Sequence, residues 1–206
     1  MKTEYCSYLN QYPTVFISFA SAKGDKYSLV QLIKEQLQNE YDRYKHIFVN
    51  LTKFEQINYE RILNHLVNSE DGCVDNIITS LSFLMKILEK YYHKRVMVFI
   101  DEYDTPFIEA HVGKFYDEIR NGLASMLHNA LKTSNSLEYA LLTGIQRVAK
   151  KNIFSDLNNP LVCTVTEESY SQYFGFNKDE VKELLNYYGL ELNEQVKEMY
   201  DGYHIG

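Results

Sequence analysis

The fold that this sequence predicts is decided by one stretch, Val96-Met97-Val98-Phe99-Ile100-Asp101-Glu102-Tyr103-Asp104. Its first five residues are apolar and mostly β-branched or aromatic, which is typical of a parallel strand buried on both faces. Three carboxylates then follow within four residues: Asp101, Glu102 and Asp104. Because open α/β sheets bind ligands at the carboxyl ends of their strands, the pattern predicts a functional edge here. A core strand followed by a solvated acidic turn fits the pattern equally well.

The composition favours a protein of one domain that does not bind nucleic acid non-specifically. The chain has 206 residues, of which 45% are hydrophobic, and this suits one α/β domain with a small helical appendage. Its 21 basic and 28 acidic residues give a net charge of −7. Broad binding to nucleic acid would need a basic face, so the net charge does not support it.

The cysteines and the apolar runs indicate a cytoplasmic, bacterial protein without a membrane segment. Cys6, Cys73 and Cys163 are widely spaced and form no CxxC pair, which favours a reducing compartment over a disulfide framework or a zinc site. No apolar run approaches the ~18 residues that a transmembrane helix needs. The six histidines form no HxxxH or HExxH pair, and no G-x-S-x-G nucleophile elbow is present.

Hydrophobic periodicity predicts strands that alternate with helices. The predicted strands cover 14–19, 96–101, 139–144 and 162–166, and the main predicted helices cover about 26–45, 57–68, 74–91, 119–130, 177–188 and 193–200. Such alternation predicts a three-layer αβα fold with a mostly parallel sheet. We predict a core domain over residues 1–176 and a helical extension over 177–206.

Several further motifs occur in a fixed order along the chain. They are Asp101-Glu102-Tyr103-Asp104-Thr105-Pro106, the run 142–150 (LTGIQRVAK), the run 153–159 (IFSDLNN), the run 173–176 (YFGF) and the run 200–203 (YDGY). Together they closely resemble the bacterial AAA-ATPase-like family of P-loop proteins, which often carry a PD-(D/E)XK nuclease-like domain after the ATPase. The resemblance extends over nearly the whole chain.

The resemblance implies roles for four residues. Asp101 would be the Walker B carboxylate on the metal side, and Glu102 would be the general base that polarises the attacking water. Thr143 would be the polar sensor near the γ-phosphate, and Arg147 would stabilise charge there. ATP and Mg²⁺ are the cofactors that the family implies. A salt bridge from Arg147 to Asp101 or Asp104 is the alternative role for that arginine.

The sequence departs from the family at the phosphate-binding loop. A Walker A loop needs GxxxxGK[ST] spacing so that backbone N–H groups wrap the phosphates, and no such motif is found. The nearest candidate is the run 20–25, which contains Lys23. In the family, the Walker A loop follows a strand that precedes the one at 14–19, whereas Lys23 comes after the strand at 14–19. We therefore expect a truncated or degenerate P-loop domain that does not hydrolyse ATP alone, and whether it is an enzyme stays open. The alternatives are a non-catalytic interaction module and a Mg²⁺-dependent phosphoesterase or nuclease that uses the acidic cluster.

A missing P-loop strand has a consequence for the predicted sheet. In the class of P-loop proteins that this chain resembles, the P-loop strand lies between the sensor strand, here 139–144, and the last strand, here 162–166. Its loss would leave backbone groups of both strands unpaired. Three arrangements would pair them. The strands at 139–144 and 162–166 pair directly, residues 4–12 fill the gap, or a protein partner or second copy completes the sheet.

Overall fold

The sheet has three parallel strands in the order β1-β2-β3. The computed structural model describes residues 4–68, 77–145, 161–164, 169–170, 173 and 175–200. The strands are β1 (Thr14–Ser18), β2 (Val96–Asp101) and β3 (Leu137–Leu142). The helices are α1 (Lys26–Arg43), α2 (Lys53–Asn68), α3 (Ser80–Tyr92), α4 (Thr105–Val112), α5 (Tyr116–Leu131), α6 (Lys178–Tyr187) and α7 (Glu194–Tyr200). The predicted α/β class is confirmed: helices flank a parallel sheet, consistent with a three-layer αβα fold.

Strand β2 lies at the centre of the sheet and buries alternate residues. Val96, Val98 and Ile100 are buried, whereas Met97 and Phe99 keep partial exposure. The prediction that β2 is buried on both faces is therefore wrong for the face that carries Met97 and Phe99. Helices α1, α3 and α5 pack on β1, β2 and β3, respectively, and supply most of the core around the buried face.

Helix α1 begins after Asp25, which is its N-cap. The Asp25 carboxylate accepts a hydrogen bond of 2.8 Å from the backbone N–H of Ser28, and this bond lowers the pKa of Asp25. The helix then buries Val30, Ile33 and Leu37 on one face, at the 3.6-residue spacing that predicts it. Tyr44, the C-cap residue of α1, lies close enough to the start of β1 to hydrogen-bond with Thr14.

The outer edge of β1 is closed by side chains from the end of α1. The Tyr44 hydroxyl accepts a hydrogen bond from Thr14 N at 3.2 Å and donates one to Thr14 O at 2.6 Å. The Arg43 guanidinium also donates to Thr14 O and pairs with the Glu40 carboxylate. Burial raises the pKa of Glu40, against the opposing effect of Arg43 and of a hydrogen bond from the Phe16 backbone. The outward-facing N–H and C=O groups of Thr14 therefore have side-chain partners.

Two segments outside the three strands differ from the strands considered for them in the sequence analysis. Residues 161–164 form no regular secondary structure, so the predicted strand at 162–166 is wrong for its first three residues. Residues 165 and 166 lie outside the described residues. Glu4–Tyr8 forms a short 3-10 helix and not a strand that fills a gap in the sheet. Residues 4–12 therefore add no strand to the sheet.

By its contacts, the chain divides into two compact units, Met1–Asn158 and Asn159–Gly206. In the second unit, α6 begins with a capping box. The Asn177 side chain accepts hydrogen bonds from the backbone N–H groups of Asp179 and Glu180, and Glu180 Oε2 accepts one from Asn177 N at 2.9 Å. The helix predicted over 177–188 is therefore confirmed. None of the helices in the described ranges is both long enough and apolar enough to cross a membrane.

Glu55 gives the fold a testable pH dependence. Its Oε2 accepts hydrogen bonds of 2.8 Å from Thr52 N, from Thr52 Oγ1 and from Lys90 Nζ, which joins α2 to α3. Burial acts to raise the pKa of Glu55, but the hydrogen bonds from Lys90 and Thr52 outweigh it and lower the pKa to about 2. The folded-state pKa is thus below the ordinary value of 4.5. The stabilisation by this carboxylate is fully present above that value and is lost as the pH falls toward about 2.

Glu55→Gln is expected to lower the free energy of unfolding by about 1 kcal/mol at neutral pH, because charged hydrogen bonds on a partly exposed group are replaced by weaker ones. The difference between the variant and the wild type should shrink as the pH falls from about 4.5 to about 3. Urea denaturation at several pH values measures it, with Glu60→Gln, an exposed residue of the same helix, as the control. A difference that stays constant down to about pH 3 would contradict the assigned role.

Candidate functional site

The carboxylate of Asp101 is held between hydroxyl groups from both neighbouring strands. Thr143 Oγ1 donates a hydrogen bond of 2.7 Å to Asp101 Oδ1, and Ser18 Oγ donates one of 3.3 Å to Asp101 Oδ2. Three parallel strands end at one edge of the sheet, so a residue at the end of each is brought to the same place. The two hydroxyls fix the orientation of the carboxylate and leave its remaining lone pairs for a ligand.

Backbone hydrogen bonds extend the sheet beyond the strand ends and fix the loops of the site. Thr143 N donates to Ile100 O at 2.9 Å, and Tyr103 N donates to Thr143 O at 3.0 Å. On the other side, Phe19 N donates to Asp101 O at 2.9 Å. The segments that carry the Asp101 and Thr143 side chains are therefore connected to each other and to β1 by main-chain bonds.

Glu102 lies in the turn between β2 and α4. Its backbone has φ of 48°, in the left-handed region that residues other than glycine seldom adopt. Thr105 Oγ1 donates a hydrogen bond of 3.0 Å to Glu102 Oε2, so the carboxylate is oriented by the first residue of α4. Pro106, in the first turn of α4, favours this helix start because its missing N–H needs no partner there. Strain in such a turn is common at functional sites.

Asp104 is buried beneath the site and contacts Gly144. Only 1% of Asp104 is exposed. A Cβ atom on Gly144 would lie 2.4 Å from Asp104 Oδ1 and 2.9 Å from Tyr103 Cε1, closer than real Cβ contacts occur. Glycine at position 144 is therefore required for the β3 loop to approach the acidic turn this closely.

The site is the last of three rows of side chains on one face of the sheet. Side chains alternate between the faces of a strand, and the strand register aligns Thr14, Met97 and Tyr139 in the first row and Phe16, Phe99 and Leu141 in the second. Ser18, Asp101 and Thr143 complete the third row. Phe16, Tyr139 and Leu141 are 55%, 68% and 56% exposed, respectively. We call this surface the open sheet face.

The structure brings together some of the predicted site residues. Asp101 and Thr143 are in direct contact, and Glu102 adjoins them in the turn. Arg147 lies outside the described residues, so its role and its salt-bridge alternative stay predictions. Lys23 is exposed in the turn between β1 and α1.

Sequence reasoning missed Ser18, which is the second hydroxyl on Asp101. A signal for it exists, because Ser18 ends a predicted parallel strand as Thr143 does. Polar residues at the ends of adjacent parallel strands are expected to lie close together.

The donor atoms at this edge suit a hard cation that also binds phosphate. Carboxylate and hydroxyl oxygens are ligands for Mg²⁺, which is usually held by one or two carboxylates with water and phosphate oxygens completing its shell. Over the described ranges, no group of three or more His, Cys, Asp or Glu side chains is placed to hold a metal ion. Asp101, with Thr143 beside it, thus offers oxygen ligands for only part of the shell of such a cation.

Comparison with known proteins gives a family for the chain. A family model described as "Predicted AAA-ATPase" matches residues 2–154, which is most of the chain. The chain is also 31% identical over 115 residues to a protein of Azotobacter chroococcum mcd 1 described as "Uncharacterized protein in vnfD 5'region". That match covers 54% of this chain and 22% of the relative. No solved structure matches. With its parallel sheet and the acidic turn that ends the central strand, the chain belongs to the AAA-ATPase-like family.

Proposed function

We propose that this chain supplies the cation-binding side of a nucleotide site, with Asp101 as the carboxylate on the Mg²⁺ side. The observation that carries the proposal is the pair of hydroxyls that orients Asp101 at the carboxyl end of the central strand. Membership of the family supports a nucleotide as the ligand. The P-loop and Walker B assignments, and ATP and Mg²⁺ themselves, are parts of this proposal.

Each side chain has a distinct part in the proposed site. Asp101 would bind the cation and its water shell, while Thr143 would both orient Asp101 and offer its hydroxyl to a phosphate oxygen. Glu102 would polarise the attacking water, with Thr105 holding its carboxylate. Arg147 would stabilise the charge on the phosphate. Bound Mg²⁺ would neutralise phosphate charge, and the phosphate-wrapping N–H groups would come from a segment other than the run 20–25.

A thermal melt with and without Mg-ATP tests the proposal. A ligand at about 100-fold over its Kd should stabilise the fold by about 2.7 kcal/mol, and for a chain of this size that raises Tm by about 5–10 °C. Asp101→Asn should lose most of this shift, because an amide no longer neutralises the cation. Asp42→Asn makes the same change of charge on the exposed end of α1, where Asp42 pairs with Lys45, and should keep the shift.

The result that overturns the proposal is an equal shift in Asp101→Asn and the wild type, or no shift at millimolar Mg-ATP. Magnesium alone and ATP alone separate binding of the cation from binding of the nucleotide. Cleavage of DNA or RNA that depends on Mg²⁺ and vanishes in Asp101→Asn would instead favour the phosphoesterase alternative.

A second candidate function is a non-catalytic interaction module on the same scaffold. The open sheet face favours it, because Phe16, Tyr139 and Leu141 form an exposed apolar surface of the kind that marks interaction sites. This candidate predicts no response to Mg-ATP in the melt, so the same experiment separates it from the nucleotide site.

A further inference from the structure

The side of β1 that faces away from β2 carries backbone groups of the kind that pair strands. Pro13 O accepts a hydrogen bond from Met97 N at 3.0 Å, and Phe19 N donates one to Asp101 O at 2.9 Å, so the odd-numbered residues of this segment bond to β2. In a parallel pair, the residues between them direct their N–H and C=O groups to the opposite side. Thr14 and every second residue after it therefore direct their backbone groups outward.

Three side chains at the end of α1 occupy the first part of this edge. The Tyr44 hydroxyl donates to Thr14 O at 2.6 Å and accepts from Thr14 N at 3.2 Å. The Arg43 guanidinium donates to the same carbonyl, and the Glu40 carboxylate accepts a hydrogen bond from the Phe16 backbone. These are the groups that the backbone of an added strand would bind. A strand cannot pair with them while the three side chains stay in place.

Packing holds the tyrosine of this set in position. Tyr44 is 7% exposed, and its ring contacts the ring of Tyr92 at the end of α3, with 6.3 Å between the centroids and an edge-on geometry. The Arg43 guanidinium lies 4.6 Å from the centroid of the Tyr44 ring, within the range of a cation–π contact. Contacts other than those with β1 therefore fix the two side chains that bind Thr14.

The sequence of β1 explains why its edge needs cover. The run 14–19 (TVFISF) consists mainly of β-branched and aromatic residues and contains no charge, no proline and no glycine. Six-residue segments of this composition pair with identical segments of other molecules when their edges are accessible. Edge strands are commonly protected by lysine, by proline or by an inward-pointing charge, and this run has none of them.

We propose that Glu40, Arg43 and Tyr44 form a strap across β1 that prevents a second copy of this chain from adding its own strand at Thr14. The strap acts on the hydrogen-bonding groups of the edge and leaves the apolar side chains of β1 as they are. Loss of the contacts at the end of α1 exposes the edge and converts β1 into a template for association. The inference does not depend on nucleotide chemistry.

The association rate of the full chain tests the proposal, with light scattering and thioflavin T fluorescence as the measurements. The double change Arg43→Gln and Tyr44→Phe removes the three hydrogen bonds to Thr14 and keeps the aromatic ring that packs on Tyr92. This variant should associate about tenfold faster than the wild type or more, because the N–H and C=O groups of Thr14 then lack partners that a second strand can supply. The product should bind thioflavin T, as stacked strands do.

The matched control makes the same two changes on α2, Tyr59→Phe with Arg61→Gln. The Tyr59 hydroxyl donates to Tyr41 O at 2.9 Å, and the Arg61 guanidinium donates to Asn58 Oδ1 at 3.2 Å. The control thus loses hydrogen bonds of the same kinds, one of them to a backbone carbonyl, without uncovering β1. It should associate at close to the rate of the wild type.

A third change connects the association to the backbone of Thr14. Thr14→Pro, added to the strap variant, removes the N–H group that an incoming strand would bind, at the first residue of a strand, where proline is tolerated. It should return the association rate toward that of the wild type. The proposal is overturned by a strap variant that associates no faster than the wild type, by equal rates in the strap variant and the α2 control, or by fast association that persists with Thr14→Pro.

Discussion

Gly144→Ala is expected to lower the free energy of unfolding by about 2–3 kcal/mol. The new Cβ would lie 2.4 Å from Asp104 Oδ1, so the loop or the carboxylate must move. Asp104 is 1% exposed and has a short side chain, which leaves little freedom to relax. Overpacking of such a site usually costs about 1–3 kcal/mol, and displacing the β3 loop also weakens the bond from Thr143 to Asp101.

A double-mutant cycle identifies the cause of this cost. Asp104→Ala removes the carboxylate that the new methyl group would strike at 2.4 Å, so Gly144→Ala should cost less in that background than in the wild type. The cost that remains comes from Tyr103 Cε1, 2.9 Å from the new Cβ. Denaturant melts of the four proteins provide the coupling free energy. Additive costs would show that the contact with Asp104 is not what requires glycine, and the role we assign to Gly144 would fall.

Phe107→Ala is expected to lower the free energy of unfolding by about 3–5 kcal/mol, since it leaves a cavity where α4 packs. Phe107 is 1% exposed and belongs to the main hydrophobic core. Phe16→Ala makes the same chemical change on the open sheet face, where the side chain is 55% exposed, and should cost less than about 1 kcal/mol. Equal costs in urea denaturation would contradict the assignment of core and open face.

The sequence predicted well those elements whose signals are local. Five apolar residues before Asp101 identify β2, and Asp25 with the apolar spacing after it identifies α1. Two local signals were overlooked. Thr52 and Glu55 form a capping box that starts α2 at Lys53, four residues earlier than predicted. Pro106 marks the start of α4, a helix that the periodicity did not predict.

Other features depended on contacts between distant parts of the chain. Ser18 and Asp101 are 83 residues apart, and their hydrogen bond follows from the pairing of β1 with β2. The requirement for glycine at position 144 follows from how closely β3 and the acidic turn pack, which no local pattern encodes. At 162–166, by contrast, a local pattern predicted a strand, yet Val162 and Thr164 lie in a segment without regular secondary structure. The strand preference of β-branched residues depends on neighbours that pack against them.

The row arrangement on the open sheet face has a consequence for the dielectric environment of Asp101. The carboxylate lies one row beyond Phe16, Phe99 and Leu141, so a layer placed over those side chains would also become a wall beside Asp101. Excluding water there would lower the local dielectric constant and strengthen the attraction between the carboxylate and a cation. A surface that makes no contact with a bound cation would in this way set how tightly the cation is held.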